Sequence, residues 1–291
     1  MRIPLAGVAD FLNQVIGVNL SRGITHGFKA KAAAFYNVTY DGLLQKIISG
    51  RIIHADETKV KVDGHDGYVW VLTSMEEVAY IYTPSREGDF VQTLLKDFKG
   101  VLVSDFYTAY EPINCPQQKC LIHLIRDLND DLMKEPFNEE IKVLIGEFAA
   151  LLKSMIETVD RFGLKSRFLR KHKINVERFF RGLARQDYQT ETAVKCKKRF
   201  ERNRTNLFTF LDYDGIPWNN NNAEHAIKAF AMLRRDFNGL STEKGIRDYL
   251  ILLSICETFK YKGLDFLDFL RSGEKDIDRF LATQKKQLVK F

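Results

Sequence analysis

The sequence predicts an α+β fold: a mixed sheet in the first half of the chain and helices behind it. Three observations carry this. Residues 51–83 hold three runs with period-two alternation or β-branched and aromatic content. A short helical segment and one buried-type strand, GVLVSDFY, follow them. From Leu124 onward the apolar spacing is helical almost throughout.

Taken in order, residues 1–50 read as helices, with breaks at Gly17, Gly23 and Gly27 and an apolar stripe through FYNVTYDGLLQKI. RIIHADETKVKV alternates, DGHDG is a turn cluster, and GYVWVLTS and EVAYIYTP complete an antiparallel meander. GDFVQTLLKDF is a short helix, GVLVSDFY a buried strand, and KCLIH a candidate for one more short strand. EEIKVLIGEFAALLKSMIETVDRF, VERFFRGLARQDYQTETAVKCKKRFERN and GIRDYLILLSICETFKYKGLDFLDFLRS carry helical spacing, the last interrupted at Lys262-Gly263.

With 45% hydrophobic and 28% charged residues, the 291-residue chain has the composition of an ordinary globular protein of one or two domains. Its longest apolar runs, such as LILL near Leu250, are too short to span a bilayer, so no membrane partner and a cytoplasmic location are expected. Four irregularly spaced cysteines argue against a disulfide framework. Residues 161–205 hold 15 Lys/Arg against 4 Asp/Glu, a local charge of +11, which leaves −5 on the rest of a chain whose total is +6. Such a segment suits a phosphate-backbone partner; a solvated lysine-rich helix face is the plainer alternative.

Three carboxylates stand out. Asp56 shares a strand face with Ile52, His54, Thr58, Val60 and Val62, where an ionised group needs a partner or a cation. Asp105 ends the strand Val101-Leu102-Val103-Ser104, a place where ligands bind in open sheets and also where Asp is common as a strand terminator. Glu224 follows four asparagines in WNNNNAEHAIKAF, which read as a helix start with Asn221 as its cap and Glu224 at the third position. Two aspartates and a glutamate make a hard oxygen site suited to Mg²⁺ or Mn²⁺ and to phosphoryl transfer by two ions. Cys115, Cys120 and His123 lack a fourth ligand of matching spacing, which disfavours zinc.

HADET, VSDFYTAY, KCLIHLIRDL, NNNNAEHAIK, RRDFNGL and CETFKYKGLDFLDFL occur in an order that resembles the transposases of the IS66 insertion-sequence family, of the DDE group with an RNase H-like core. The resemblance runs from about Ile52 to the C-terminus. It implies Asp56 on the first strand, Asp105 after the fourth and Glu224 on a late helix, as catalytic and metal-binding residues separated by 49 and 119 positions. Residues 1–50 would then be a helical N-terminal segment, 51–125 the RNase H-like sheet core, 126–215 a basic helical insertion, and 216–291 the Glu224 helix with C-terminal helices. Expected DNA contacts are His123, Asn220, Asn221, His225, Lys228, Arg234 and Arg235. His225 and Lys228 stand where family members usually carry arginine.

The activity implied is metal-dependent cleavage at the ends of an insertion sequence followed by strand transfer, by a homo-oligomer on DNA, in the bacterial nucleoid. A structure-specific RNase H-like nuclease and a DNA-binding remnant without activity are the alternatives. Relatives carry a helix-turn-helix ahead of the core, so a fragment, a short form or a decayed copy is expected.

Overall fold

The structure, a computed structural model, describes residues 5–237 and 242–288. Its strands are β1 (Ile52–Val62), β2 (His65–Thr73), β3 (Val78–Thr83), β4 (Val101–Ser104) and β5 (Gln117–Lys119). They form one five-stranded mixed sheet in the order β3-β2-β1-β4-β5, and with the surrounding helices this makes the fold α+β. The chain divides into two compact units, Met1–Leu94 with Asn221–Phe291, and Leu95–Asn220.

In the first unit α1 (Leu5–Phe11) continues into one π-helical turn that Gly17 closes at φ 77°, where a residue without Cβ is favoured. The next helix, α2 (Arg22–Ile48), contains Gly23 and Gly27, which therefore do not break it. An interior glycine costs about 1 kcal/mol of helix propensity. Burial of Ala33, Tyr36, Leu43 and Ile47 along one face outweighs that.

The β1–β2 turn is shorter than the DGHDG cluster suggests. Asp63 and Gly64 alone form it, both at positive φ (51° and 78°), as a two-residue type I′ hairpin requires. Val62 consequently pairs with His65, and the register runs on through Asp56 opposite Val71 and Val71 opposite Tyr80. Gly67 is fixed by a close approach: a Cβ there would lie 2.6 Å from the Tyr82 ring.

α3 (Asp89–Leu94) precedes the boundary of the first unit, which resumes with α10 (Asn221–Phe237), α11 (Glu243–Tyr261), α12 (Phe266–Ser272) and α13 (Ile277–Leu288). Between them come α4 (Leu121–Lys134), α5 (Glu139–Phe162), α6 (Ser166–Leu169), α7 (Lys173–Arg185), α8 (Glu191–Arg202) and α9 (Arg204–Leu207). Val60, Val62, Val69, Val71, Tyr80 and Tyr82 of the meander form one core with Ala226 and Phe230 of α10 and Ile246, Leu250 and Leu253 of α11.

Within the second unit β4 and β5 are parallel, Leu102 opposite Gln117 and Ser104 opposite Lys119. β5 thus ends where the KCLIH run begins. Leu121, Leu124 and Leu128 instead bury one face of α4, a helical spacing that a strand could not use. The segment VERFFRGLARQDYQTETAVKCKKRFERN, helical in its spacing, falls into two helices, α7 and α8. Glu140 holds the break by accepting from the Gln189 N–H (2.9 Å), the Thr190 N–H (2.8 Å) and the Thr190 hydroxyl (2.6 Å). Phe148, Phe179 and Phe200 centre the helical core with ring centroids 5.0–6.2 Å apart. Among the described residues no helix is long and apolar enough to cross a membrane.

This packing can be tested at two buried side chains. Phe230, fully buried and 6.3 Å from the Tyr80 ring, anchors α10 on the meander. Phe230→Ala should cost about 3–5 kcal/mol in denaturant unfolding, the usual effect of emptying an aromatic core site. His172 is buried against α5, its Nε2 2.8 Å from the Thr158 hydroxyl and its Nδ1 3.5 Å from that of Ser154. Burial first, and the Lys171 charge second, hold its imidazole below its ordinary value. A group with a depressed folded pKa of this kind stays neutral in the fold while the unfolded chain takes up a proton. Stability from it is therefore full above the unfolded His value near 6.5 and falls as pH drops below it. Thermal melts from pH 7.5 to 5 should show a larger fall in midpoint for the wild type than for His172→Gln.

Candidate active site

Asp56 and Glu224 belong to the same unit, and three anchors set their relative level. Helix α10 lies along the face of β1 and β2 that carries Val60, Val62 and Val71, which by strand alternation is the face of Asp56. Near its start the Asn222 amide donates to Ser74 O (2.5 Å), one residue past Thr73, the partner of His54. One turn on, the Tyr80 hydroxyl, in the row of Asp56 and Val71, donates to Ala226 O at 2.8 Å. Toward the other end the Arg234 guanidinium donates to the Thr58 hydroxyl (3.1 Å) and to Lys59 O. Glu224 stands midway between Asn222 and Ala226, at the level of the sheet rows that hold His54 with Thr73 and Asp56 with Val71 and Tyr80.

Both carboxylates are half-buried. Asp56 Oδ1 accepts the Glu57 N–H at 2.9 Å. The neighbouring Glu57 points to the opposite face, where Arg86 binds it at 2.6 and 3.1 Å. His225 and Lys228 are exposed on the outer side of α10, with the His225 ring 6.2 Å from that of Tyr261. The expected capping pattern shifts by one residue. α10 begins at Asn221, so Asn220 occupies the cap position and Glu224 is the fourth helical residue. Asn221 is exposed, and the side chain of Arg235 lies outside the described residues.

Asp105, His123 and Asn220 belong to the second unit. Asp105 directly follows β4, is half-buried, and its Oδ1 accepts the Tyr107 N–H at 2.9 Å. His123 is the third residue of α4 and Cys120 its buried N-terminal neighbour. The asparagine run returns to this point: the Asn220 N–H donates to Cys120 Sγ (3.2 Å) and the Leu121 N–H to Trp218 O (3.0 Å). Asn220 is therefore fully buried at the junction, a position that favours bracing the loop over reaching outward. Burial pushes the Cys115 thiol up to about 11, the wrong direction for a thiolate ligand.

Sequence reasoning passed over Lys119. It is only 1% exposed, its Nζ donates to Ser104 Oγ at 3.1 Å, and it lies 5.8 Å from the Tyr110 ring centre. Burial pulls this ammonium below its ordinary value, and the charges of Asp105 and Glu111 pull it back up. The available signal was a lysine at the end of a strand, beside a run otherwise destined for burial.

The basic segment is partly neutralised. Lys173 meets Asp212 (2.6 Å), Arg199 meets Asp131 (3.3 Å), Arg202 meets Glu111 (2.8 Å) and Arg204 meets Glu177 (2.6 Å). Lys171, Arg181, Arg185 and Lys198 are exposed and form no ion pair among the described residues, which leaves a cationic surface on α7, α8 and the turn before them.

Comparison with known proteins matches residues 1–248 to the Transposase IS66 family. The uncharacterized protein y4jD of Sinorhizobium fredii (strain NBRC 101917 / NGR234) is 25% identical over 278 residues, 86% of this chain and 54% of that protein. The uncharacterized protein y4qI of the same strain is 23% identical over 286 residues, 87% of this chain and 53% of that protein. The chain thus spans about half the length of these curated relatives. With the family match extending across the meander, the Asp105 strand, the helical excursion and the Glu224 helix, the chain belongs to the IS66 transposase family.

Proposed function

We propose that this chain carries the catalytic core of a DDE-type transposase with an RNase H-like fold, acting on the DNA ends of an insertion sequence and on target DNA. The observation that supports the reading most is that α10 packs on the sheet face that carries Asp56, with Ala226 tied to Tyr80 in the Asp56 row, although 168 residues separate Glu224 from Asp56 in sequence. Asp105, after β4, supplies the third carboxylate in the order the family pattern implies.

The donor set fits a hard divalent cation. Asp56, Asp105 and Glu224 offer only oxygen, all three are half-buried, and each stands on or directly after a regular element. These residues would hold two Mg²⁺ or Mn²⁺ ions, and the ions would supply Lewis-acid stabilisation of charge at a phosphodiester. In the first step water attacks phosphorus and the element's 3′-oxygen leaves, taking a proton. In the second that 3′-hydroxyl attacks a target phosphodiester, whose own 3′-oxygen departs. The chain's part would be to hold the carboxylates on rigid elements: a strand for Asp56, the end of a strand for Asp105, a helix with three anchors for Glu224.

DNA would lie against the exposed cations of α7, α8 and the preceding turn, with His123, Asn221, His225, Lys228 and Arg235 as further contacts. Arg234 contributes first as the tether of α10 to β1. Two subunits on two DNA ends are the assembly this chemistry calls for.

Two experiments test this. Purified protein with Mg²⁺ or Mn²⁺ and labelled element-end DNA should cleave it and join it to a second duplex. Asp56→Asn, Asp105→Asn and Glu224→Gln should each lower both reactions at least about a hundredfold with little change in fold. Wild-type rates in any of them would remove that residue from the site, and cleavage without joining would favour a nuclease. DNA affinity should fall steeply with salt. Arg181→Ala with Arg185→Ala should flatten the log–log slope by about 0.9 for each phosphate that the variant no longer neutralises, as measured by fluorescence anisotropy from 50 to 300 mM salt.

A further inference from the structure

Lys119 is the buried charge that the proposed chemistry does not use. Its surroundings are built: β4 and β5 run parallel with Ser104 opposite Lys119, and the Cys120 N–H donates to Ser104 O at 2.8 Å. An ammonium can only donate, so the Lys119 Nζ–H bond at 3.1 Å makes the Ser104 hydroxyl its acceptor. That hydroxyl in turn donates its proton to Asp105 O at 3.0 Å. The relay from Nζ through Ser104 to the Asp105 peptide holds a positive charge against Ser104, the last residue of β4, next in the chain to Asp105. Glu111, the other carboxylate acting on this lysine, is already held by Arg202 at 2.8 and 3.1 Å.

Lysine is seldom fully buried without a charged partner, because desolvating an ammonium is costly. A methionine or leucine would fill the space without that cost. The charge itself is therefore the property that calls for an explanation, and Asp105 is where it acts. We propose that Lys119 is a positioning residue whose buried ammonium, fixed by Ser104, offsets part of the negative charge of Asp105 and so holds down the divalent-cation affinity of that strand end. The inference rests on the reading of Asp105 as a metal ligand. Its consequence is that cation loading gains from the negative charge a DNA phosphate brings, so the site is weakly charged with metal until substrate arrives.

The test is Mn²⁺ binding to the full chain without DNA, followed by electron paramagnetic resonance of the free ion, for wild type, Lys119→Met, Lys119→Arg and Asp105→Asn. Removing a like charge from the neighbourhood of a divalent ion should tighten binding about tenfold even with the screening of water. Lys119→Met should therefore bind Mn²⁺ about tenfold more tightly, while Lys119→Arg stays at the wild-type value. A merely structural lysine predicts the opposite sign, since a loosened strand end would bind the ion less well. Unchanged or weaker binding in Lys119→Met, with Asp105→Asn lowering it, overturns the role of Lys119 and leaves Asp105 a ligand. Binding indifferent to Asp105→Asn overturns both. Lys119→Gln keeps a donor for Ser104 without the charge, and carries the same comparison if the methionine variant does not fold.

Discussion

One constraint organises the first unit: a single sheet face must be dry enough to hold a helix and still carry a carboxylate. Val60, Val62, Val71 and Tyr80 supply the dry surface, and Asp56 stands in the same face a few residues along β1. An ionised aspartate fully sealed under α10 would cost more than the packing returns. The structure avoids this by pitching α10 so that Ala226 and Phe230 cover the valines while Asp56 and Glu224 remain half-buried. The alanines matter here. Ala223 and Ala226 bring the start of α10 close to the sheet, which lets the Tyr80 hydroxyl reach a helix carbonyl and lock the level of the helix.

The second unit solves a different problem. Asp105 leaves β4 at the point where β5 ends, and a lysine is buried there against the cost of desolvation. The surface of the same unit uses its cations differently. On α7 and α8 exposed arginines and lysines alternate between ion pairs and open solvent, where single pairs contribute little to stability. Those charges are adjustable and long-range; the one at Lys119 is fixed and local. On the function and the Lys119 role proposed above, the same type of side chain would serve attraction of a polyanion in one place and restraint of a carboxylate in the other.

Much of this was legible in the sequence, for identifiable reasons. Period-two alternation located β1, β-branched and aromatic content located β2 and β3, most of whose residues are buried on both faces, and the DGHDG cluster located the hairpin, within which only Asp63 and Gly64 take the positive φ that turns it. The helices after Leu124 declared themselves by spacing. What was not legible came from partners distant in the chain. The glycines inside α2 read locally as breaks, and only the burial of Tyr36 and Ile47 against other elements outweighs them. The gap between α7 and α8 depends on Glu140, some fifty residues upstream. For the candidate site, the residue types of Asp56, Asp105 and Glu224 were readable, as was the reason a carboxylate on an apolar face is unusual. The helix level that relates Glu224 to Asp56, and the buried lysine behind Asp105, depend on three-dimensional neighbours that no local pattern encodes.

The 119 positions between Asp105 and Glu224 take their physical sense from the stitching of the second unit. Cys120 and Asn220 meet across a separation of 100 residues, and Leu121 meets Trp218 beside them. Between these points the chain builds a helical body with its own aromatic core of Phe148, Phe179 and Phe200, and it leaves and returns at one place. A closed excursion of this kind costs little in loop entropy once its own core is formed, because closure grows only slowly with length. It can therefore carry a cationic surface without disturbing the elements that hold the carboxylates. The asparagines complete the return: buried Asn220 ends the excursion against Cys120, and Asn222 pins the first turn of α10 to Ser74. In the middle of a polar run with no core-forming residue, two asparagines thus fix where the excursion ends and where the helix bearing Glu224 begins.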